Sequence, residues 1–202
     1  LLLRSQSAHT VRPPRYPEFM ELTYRPEKFA ELILYVAGRL QNDRAGGATK
    51  LNKVLFFAEF THLRRHGAVI SGCEFQKLDH GPAPRQLLPV RSRLIAEGAA
   101  ELVADDFLGR PQHRLVPKRT PNLDVFTALE LETVDDVLNQ LAGLTSRQVS
   151  DLSHEEPGWA LTAVGDTIPY ATAGLGFPQV STPTSQRLER EVAERYGPAL
   201  TH

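Results

Sequence analysis

Apolar residues first recur at helical spacing in residues 26–42. Pro26 opens the run, Glu27 follows in the first turn, and Phe29, Ile33, Val36 and Leu40 fall three and four apart. This predicts an amphipathic helix with proline at its start and an acid at the positive end of its dipole. "DRAGGAT" ends it with a glycine pair. The next run, "KLNKVLFFAEFTHLRRHG", starts at Thr49 or its neighbour and has a different pattern. Leu51, Val54, Leu55, Ala58 and His62 form one helical stripe, while Phe56, Phe57, Phe60 and Leu63 fall mostly on the opposite side. A helix apolar on two sides is buried within a bundle, so this segment is expected to be the central core helix. Gly67 supplies its C-cap, with Arg64, Arg65 and His66 in the last turn, where cations are favoured.

Beyond Gly67 the pattern shortens. "AVISGCEF" is β-prone, with Gly72 marking a bulge or bend, and "DHGPAP" is a turn. "RQLLPVRSRLIAEG" reads as a helix whose start Pro89 delays or kinks. "AAELVADDF" and "HRLVPKR" read as two strands around the Gly-containing "LGRPQ". "TALELETVDDVLNQLAG" is an acidic amphipathic helix with Leu131, Val134, Leu138 and Leu141 inward. "TSRQVSDLSHE" is a short helix with Thr145 as its N-cap. The expected fold class is α+β, a mainly helical single domain with a central buried helix and a small antiparallel sheet or hairpin.

Length and composition fit this picture. The chain has 202 residues, with 41% hydrophobic and 23% charged, which suits one globular domain with a core of its own. Residues 1–19 lack periodicity and contain Pro13, Pro14 and Pro17. Met20, the only methionine, precedes the first periodic sequence. The expected organisation is a flexible extension over 1–19 with Met20 as the natural start, a folded domain over 20–175, and a linker with a peripheral helix, "TPTSQRLEREVAERYG", over 176–202. The apolar start "LLL" is too short for a signal peptide. One cysteine excludes an internal disulfide framework, and no apolar run approaches the roughly 20 residues needed to span a bilayer. A cytoplasmic protein with no membrane partner is expected.

The net charge of −1 hides an asymmetry. Residues 1–119 hold 19 Lys and Arg against 12 Asp and Glu, a surplus of +7, whereas residues 120–202 hold 4 against 12, a surplus of −8. Such a split gives either a basic face for an acidic partner or two halves that attract each other.

Candidate chemistry is sparse. His62 and His66 lie at i and i+4, a metal-capable spacing, but Leu63 stands where the helical zinc motif places Glu, and no third ligand can be named. Cys73 lies between Gly72 and Glu74, without a thiolate stabiliser. Asp151 and His154, at i and i+3, can pair as the orienting half of a hydrolase site or as a buried polar pair beside Trp159, and His80 is a further candidate for such a site. Ser153, adjacent to His154, points elsewhere on a helix. The helix 84–97 followed by the hairpin 99–118 has the order of a winged helix, with Arg110, Arg114, Lys118 and Arg119 available to phosphate, although Asp105 and Asp106 share the hairpin. No Walker loop, dinucleotide fingerprint or Cys-rich zinc pattern is present, and neither cofactor nor metal is expected.

Two stretches resemble a known family. "KLNKVLFFAEFTHLRRHGAVISGCEFQKLDHGPAP" is similar to the signature of the Panacea domain of SocA-like antitoxins. Its Lys-Leu-x-Lys-aliphatic-Leu-Phe helix is matched by Lys50, Leu51, Lys53, Leu55 and Phe56, its Gly-x-x-Ile-x-Gly turn by Gly67, Ile70 and Gly72, and its Gly-Pro motif by Gly81 and Pro82. "VSDLSHEEPGWALTAVGDTIPY" is similar to the closing motif, with Asp151, His154 and Trp159 in place. The resemblance spans residues 24–172. It implies a non-enzymatic antitoxin that neutralises a cognate toxin, encoded by a neighbouring gene, through direct protein contact. Lys50, Lys53, Phe56, Gly81, Pro82, Asp151, His154 and Trp159 are then the family-motif residues, each of which either shapes a toxin-facing surface or holds the fold. Tyr24, Tyr35, Arg64, Arg65 and Tyr170 are candidate interface anchors by residue type only. The alternatives are a DNA-binding regulator acting on its own operator and, more weakly, a His-dependent hydrolase.

Overall fold

A computed structural model describes residues 22–107 and 109–175; the readings of residues 1–19 and of the C-terminal helix lie outside these. Helix α1, Pro26–Arg39, begins on proline and buries Phe29, Ile33 and Val36 as their spacing predicts. Helix α2, Ala48–His66, runs through the middle of the fold, packing on α1 and on two later helices, α4 (Ala128–Gln140) and α5 (Ser146–His154). It ends at Gly67, which adopts φ +70° and donates its amide to Leu63 O at 2.9 Å, as a left-handed glycine cap does.

The all-round burial of α2 has a consequence that apolar patterning does not reveal. Lys50, Lys53, Glu59 and His62 are buried along with its Leu, Val and Phe residues. A buried polar group needs a partner within the protein, and three of these four organise other segments. Lys50 Nζ bonds Asp43 at 2.6 Å and Leu144 O at 2.8 Å. His62 Nδ1 lies 3.0 Å from Thr133 Oγ1 on α4. Glu59 accepts the amides of Ile70 and Ser71, at 2.8 and 2.7 Å, and the Ser71 hydroxyl. The "AVISGCEF" stretch is therefore mostly not strand, contrary to its β-propensity. The Glu59 carboxylate takes the place of a ladder over Ile70 and Ser71, and only β1, Phe75–Gln76, pairs with β2, Ala83–Pro84.

Helix α3, Leu87–Ala96, starts later than the 84–97 reading, with Pro89 in its first turn, where a missing amide proton costs no helical bond. Strands β3, Ala100–Phe107, and β4, Arg110–Pro117, form the expected hairpin in the register Ala100↔Pro117 to Phe107↔Arg110. Its base, at Ala100 and Leu115, is buried in the core. Helices α4 and α5 open with capping boxes on Thr127 and Thr145. On α4, Val134 and Leu138 are buried, with Leu141 following at the C-cap, while Leu131 is only half-buried and Glu130 and Thr133 take the inner face beside it. A short α6, Pro157–Leu161, follows.

The two oppositely charged halves meet. Lys28–Glu130 (2.6 Å), Arg64–Glu156 (2.7 Å), Arg65–Asp136 (2.6 Å) and Arg39–Asp135 join α1 and α2 to α4 and to the start of α6. Among the described residues no helix is long and apolar enough to cross a membrane.

Replacing Glu59 with alanine leaves the Ile70 and Ser71 amides buried and unpaired, at about 1–3 kcal/mol for each orphaned donor. Urea unfolding is expected to show a loss of about 2–5 kcal/mol, read as a lower midpoint at an unchanged slope.

Candidate functional site

The Gly-Pro motif and the closing motif come together around one turn. Leu78 to Gly81 form a tight turn, Gly81 N donating to Leu78 O at 2.9 Å. One flank of the turn is tied to the loop after α6: Lys77 N donates to Asp166 O at 2.9 Å, Gly165 N to Lys77 O at 2.8 Å, and Gln76 bridges Thr167. The other flank is held by α5 and α6. Ser150 Oγ donates to His80 O at 3.1 Å and Trp159 Nε1 to Leu78 O at 3.2 Å. Gly81 adopts φ +93°, and a Cβ there would run into Lys53 Cε and Nζ and Ser153 Oγ. Glycine is thus required both by conformation and by the close approach of α2 and α5.

Beneath this turn lies Lys53, 2% exposed. Its Nζ donates to Pro82 O at 3.0 Å, and no described carboxylate pairs with it. Burial alone pushes its pKa down from the ordinary lysine value of 10.5 to about 8. His154 stacks on Trp159, with ring centroids 3.9 Å apart and planes 15° off parallel, and Lys77 Nζ lies 4.0 Å from the same indole centroid. The indole thus meets both an imidazole and an ammonium. His154 has its pKa lowered, first by burial and then by Lys53, with Lys77 and His80 adding to the repulsion and Asp151 opposing it. Its Nε2 is buried without a hydrogen-bond partner among the described residues.

Lys53, Gly81, Pro82, His154 and Trp159 are therefore assembled in one place, with Asp151 at its exposed edge. Lys50 and Phe56 are not part of it. Lys50 lies at the start of α2, against Asp43, and Phe56 sits in an aromatic core 4.4 Å from Phe60 and 5.4 Å from Phe75. Asp151 is exposed, so Asp151 and His154 do not form a buried pair. Nor is a hydrolase relay assembled: Ser153 spends its hydroxyl proton on Ser150 O at 2.7 Å, and His154 faces the indole. The sequence did not mark Lys77, which reaches the indole only because the turn folds back onto α5 and α6.

The other candidate groups lie elsewhere. The His62 and His66 rings lie 4.6 Å apart with planes tilted by 44°, and no group of three or more potential metal ligands gathers among the described residues. Burial and the Glu59 charge push the Cys73 thiol up, away from the thiolate. On the hairpin, Arg114 bonds Asp105 and the carbonyls of Leu40, Asp43 and Arg44, while Lys118 pairs with Glu101 and Arg119 with Glu31. Among the proposed anchors, Tyr170 is buried, stacked 4.9 Å from Phe60 with its hydroxyl on Cys73 O, which removes it from any surface. Tyr35, Arg64 and Arg65 are bonded to Asp135, Glu156 and Asp136 of the acidic half.

Fold and site together define a helical α+β domain whose two ordered motifs close on a buried, positively charged cluster. The family model of SocA-like antitoxins, the Panacea domain, matches residues 51–160, and the chain belongs to that family. Neither a curated protein nor a solved structure gives a match.

The Lys53 environment sets a pH dependence. The fold releases this proton near pH 8, whereas the unfolded chain holds it to about pH 10.4. For this group the unfolded state therefore binds more protons in that window, so its contribution to stability rises with pH, while the buried Cys73 thiol, whose pKa is raised, contributes the opposite slope. Lys53→Met is expected to be more stable than the wild type at pH 7 by up to about 3 kcal/mol, and that difference is expected to shrink as the pH rises, measured by urea unfolding of both proteins between pH 7 and 10.5.

Proposed function

We propose that this chain is the antitoxin of a bacterial toxin–antitoxin pair, acting in the cytoplasm and neutralising a cognate toxin encoded beside it by direct protein–protein contact. Membership of the SocA-like antitoxin family is the observation that carries this reading. The surface around the motif cluster supports a location for the contact. Leu161 and Val164, 72% and 62% exposed, lie two and five residues after Trp159, and the loop that carries Val164 is pinned through Gly165 and Asp166 to Lys77, which precedes the Leu78–Gly81 turn. Exposed apolar side chains on a rigid support, beside a half-buried tryptophan, have the character of an interface core. A stable complex buries about 1,600 Å² in total, which would extend from this patch over the turn and the end of α5. The pairing of Arg114, Lys118 and Arg119 within the protein weighs against a wing that grips phosphate.

Co-expression with the product of the neighbouring gene, scored by growth and by co-elution on a sizing column, tests the reading. Rescue of a toxic neighbour and a stable complex are expected; a harmless neighbour or the absence of a complex would refute it. With a complex in hand, Leu161→Asp combined with Val164→Asp is expected to weaken binding about tenfold or more without moving the thermal midpoint. Leu88→Asp on α3, at a residue 60% exposed, is expected to leave binding unchanged.

A further inference from the structure

The Lys53 cluster does not behave like the other buried cations. Lys28 and Lys50 are both largely buried, and each meets a carboxylate at 2.6 Å, Glu130 and Asp43 respectively. Lys53 is buried as deeply as Lys50 yet has only the Pro82 carbonyl, so two of its three N–H donors find no acceptor among the described residues. An ammonium taken out of water without a counter-charge is among the costliest arrangements in a fold. A second unsatisfied polar atom, His154 Nε2, is buried on the same side of the turn, next in the chain to Ser153, whose hydroxyl packs with Lys53 around Gly81, and Lys53 disfavours a charge on that imidazole. Lys77 and His80 add to the same positive field, and the sole carboxylate acting on His154 is that of exposed Asp151. The surroundings are closely packed: Gly81 lies directly against Lys53 and Ser153, and the imidazole stacks on the indole. His80 and Asp79, exposed on the turn that covers Lys53, make the approach from solvent short.

We propose that Lys53 Nζ and His154 Nε2 form a binding site for a small oxyanion, entered at the Leu78–Gly81 turn. The ammonium supplies charge and two N–H donors, and the imidazole supplies one more from Nε2. Such charge-assisted bonds are the strong class, and they form here in an environment that screens them poorly. The shared chemistry covers two sources: a phosphoryl group, and a carboxylate such as an acidic side chain of a partner. The site does not depend on the toxin-neutralising reading, and its test requires no toxin.

The protein carries its own reporter, because Trp159 is the only tryptophan in the chain and its ring stacks on His154. The full chain is titrated with inorganic phosphate, with acetate, and with chloride at matched ionic strength, following Trp159 emission. A saturable response to phosphate or to acetate, absent with chloride, is expected. Phosphate alone identifies a phosphoryl ligand, and acetate alone a carboxylate. Lys53→Met and His154→Gln are each expected to weaken the response about tenfold or more, with far-UV circular dichroism confirming that each variant folds. Identical responses to all three salts in the wild-type chain, or an undiminished response in a folded Lys53→Met protein, would overturn the assignment.

Discussion

Helix α2 has almost no solvent side, and the rest of the molecule is arranged around that constraint. In a helix enclosed this fully, most buried polar side chains draw their partners from segments before or after it. Glu59 holds the irregular segment through Ile70 and Ser71, His62 meets Thr133 on α4, and Lys50 meets the loop before α2 and the Leu144 carbonyl before α5. These polar groups set where the surrounding segments stop and turn, while the aromatic cluster of Phe56, Phe60, Phe75 and Tyr170 supplies the apolar contact area. Lys53 stands apart because its partner is one backbone carbonyl of the turn that covers it.

Charge plays a second, weaker part in the assembly. The basic first half and the acidic second half face each other across α1, α2 and α4. Exposed pairs such as Arg65–Asp136 contribute little individually. The Lys28–Glu130 pair is more deeply placed, and Glu130 also closes the capping box of α4, so one carboxylate ties the start of that helix to α1. Charge spent on internal docking is not available to an external field, which bears directly on the hairpin. Its cations resemble a phosphate-gripping wing in the sequence, yet in the fold Arg114 ties β4 to the loop after α1, and Lys118 and Arg119 find carboxylates.

The motif cluster joins these themes. It combines a helix that must be buried, a turn that must have glycine, and a pair of short helices whose end presents a stacked imidazole and indole. The turn covers Lys53, a cation buried without a carboxylate partner among the described residues.

Much of the fold was legible in the sequence. The Phe29, Ile33 and Val36 spacing, Gly67 at the end of α2, Thr145 at the start of α5 and the existence of the hairpin, though its second strand begins at Arg110 inside "LGRPQ", are local signals, governed by helix periodicity, capping and turn chemistry within a few residues. The two-sided apolar pattern of α2 was enough to predict its central position. Contacts between distant residues decided the remainder. "AVISGCEF" has strand-forming residues, but a carboxylate from α2 holds the amides of Ile70 and Ser71 in place of a ladder. Asp151 and His154 have helical pairing distance, yet the imidazole turned to Trp159 because an indole face buries more surface than a solvated carboxylate does. Lys53 carries no local mark of being buried without a counter-ion. That property exists only once the turn, α5 and α6 have closed over it, because desolvation and charge pairing depend on what surrounds a group in space and not on its neighbours along the chain.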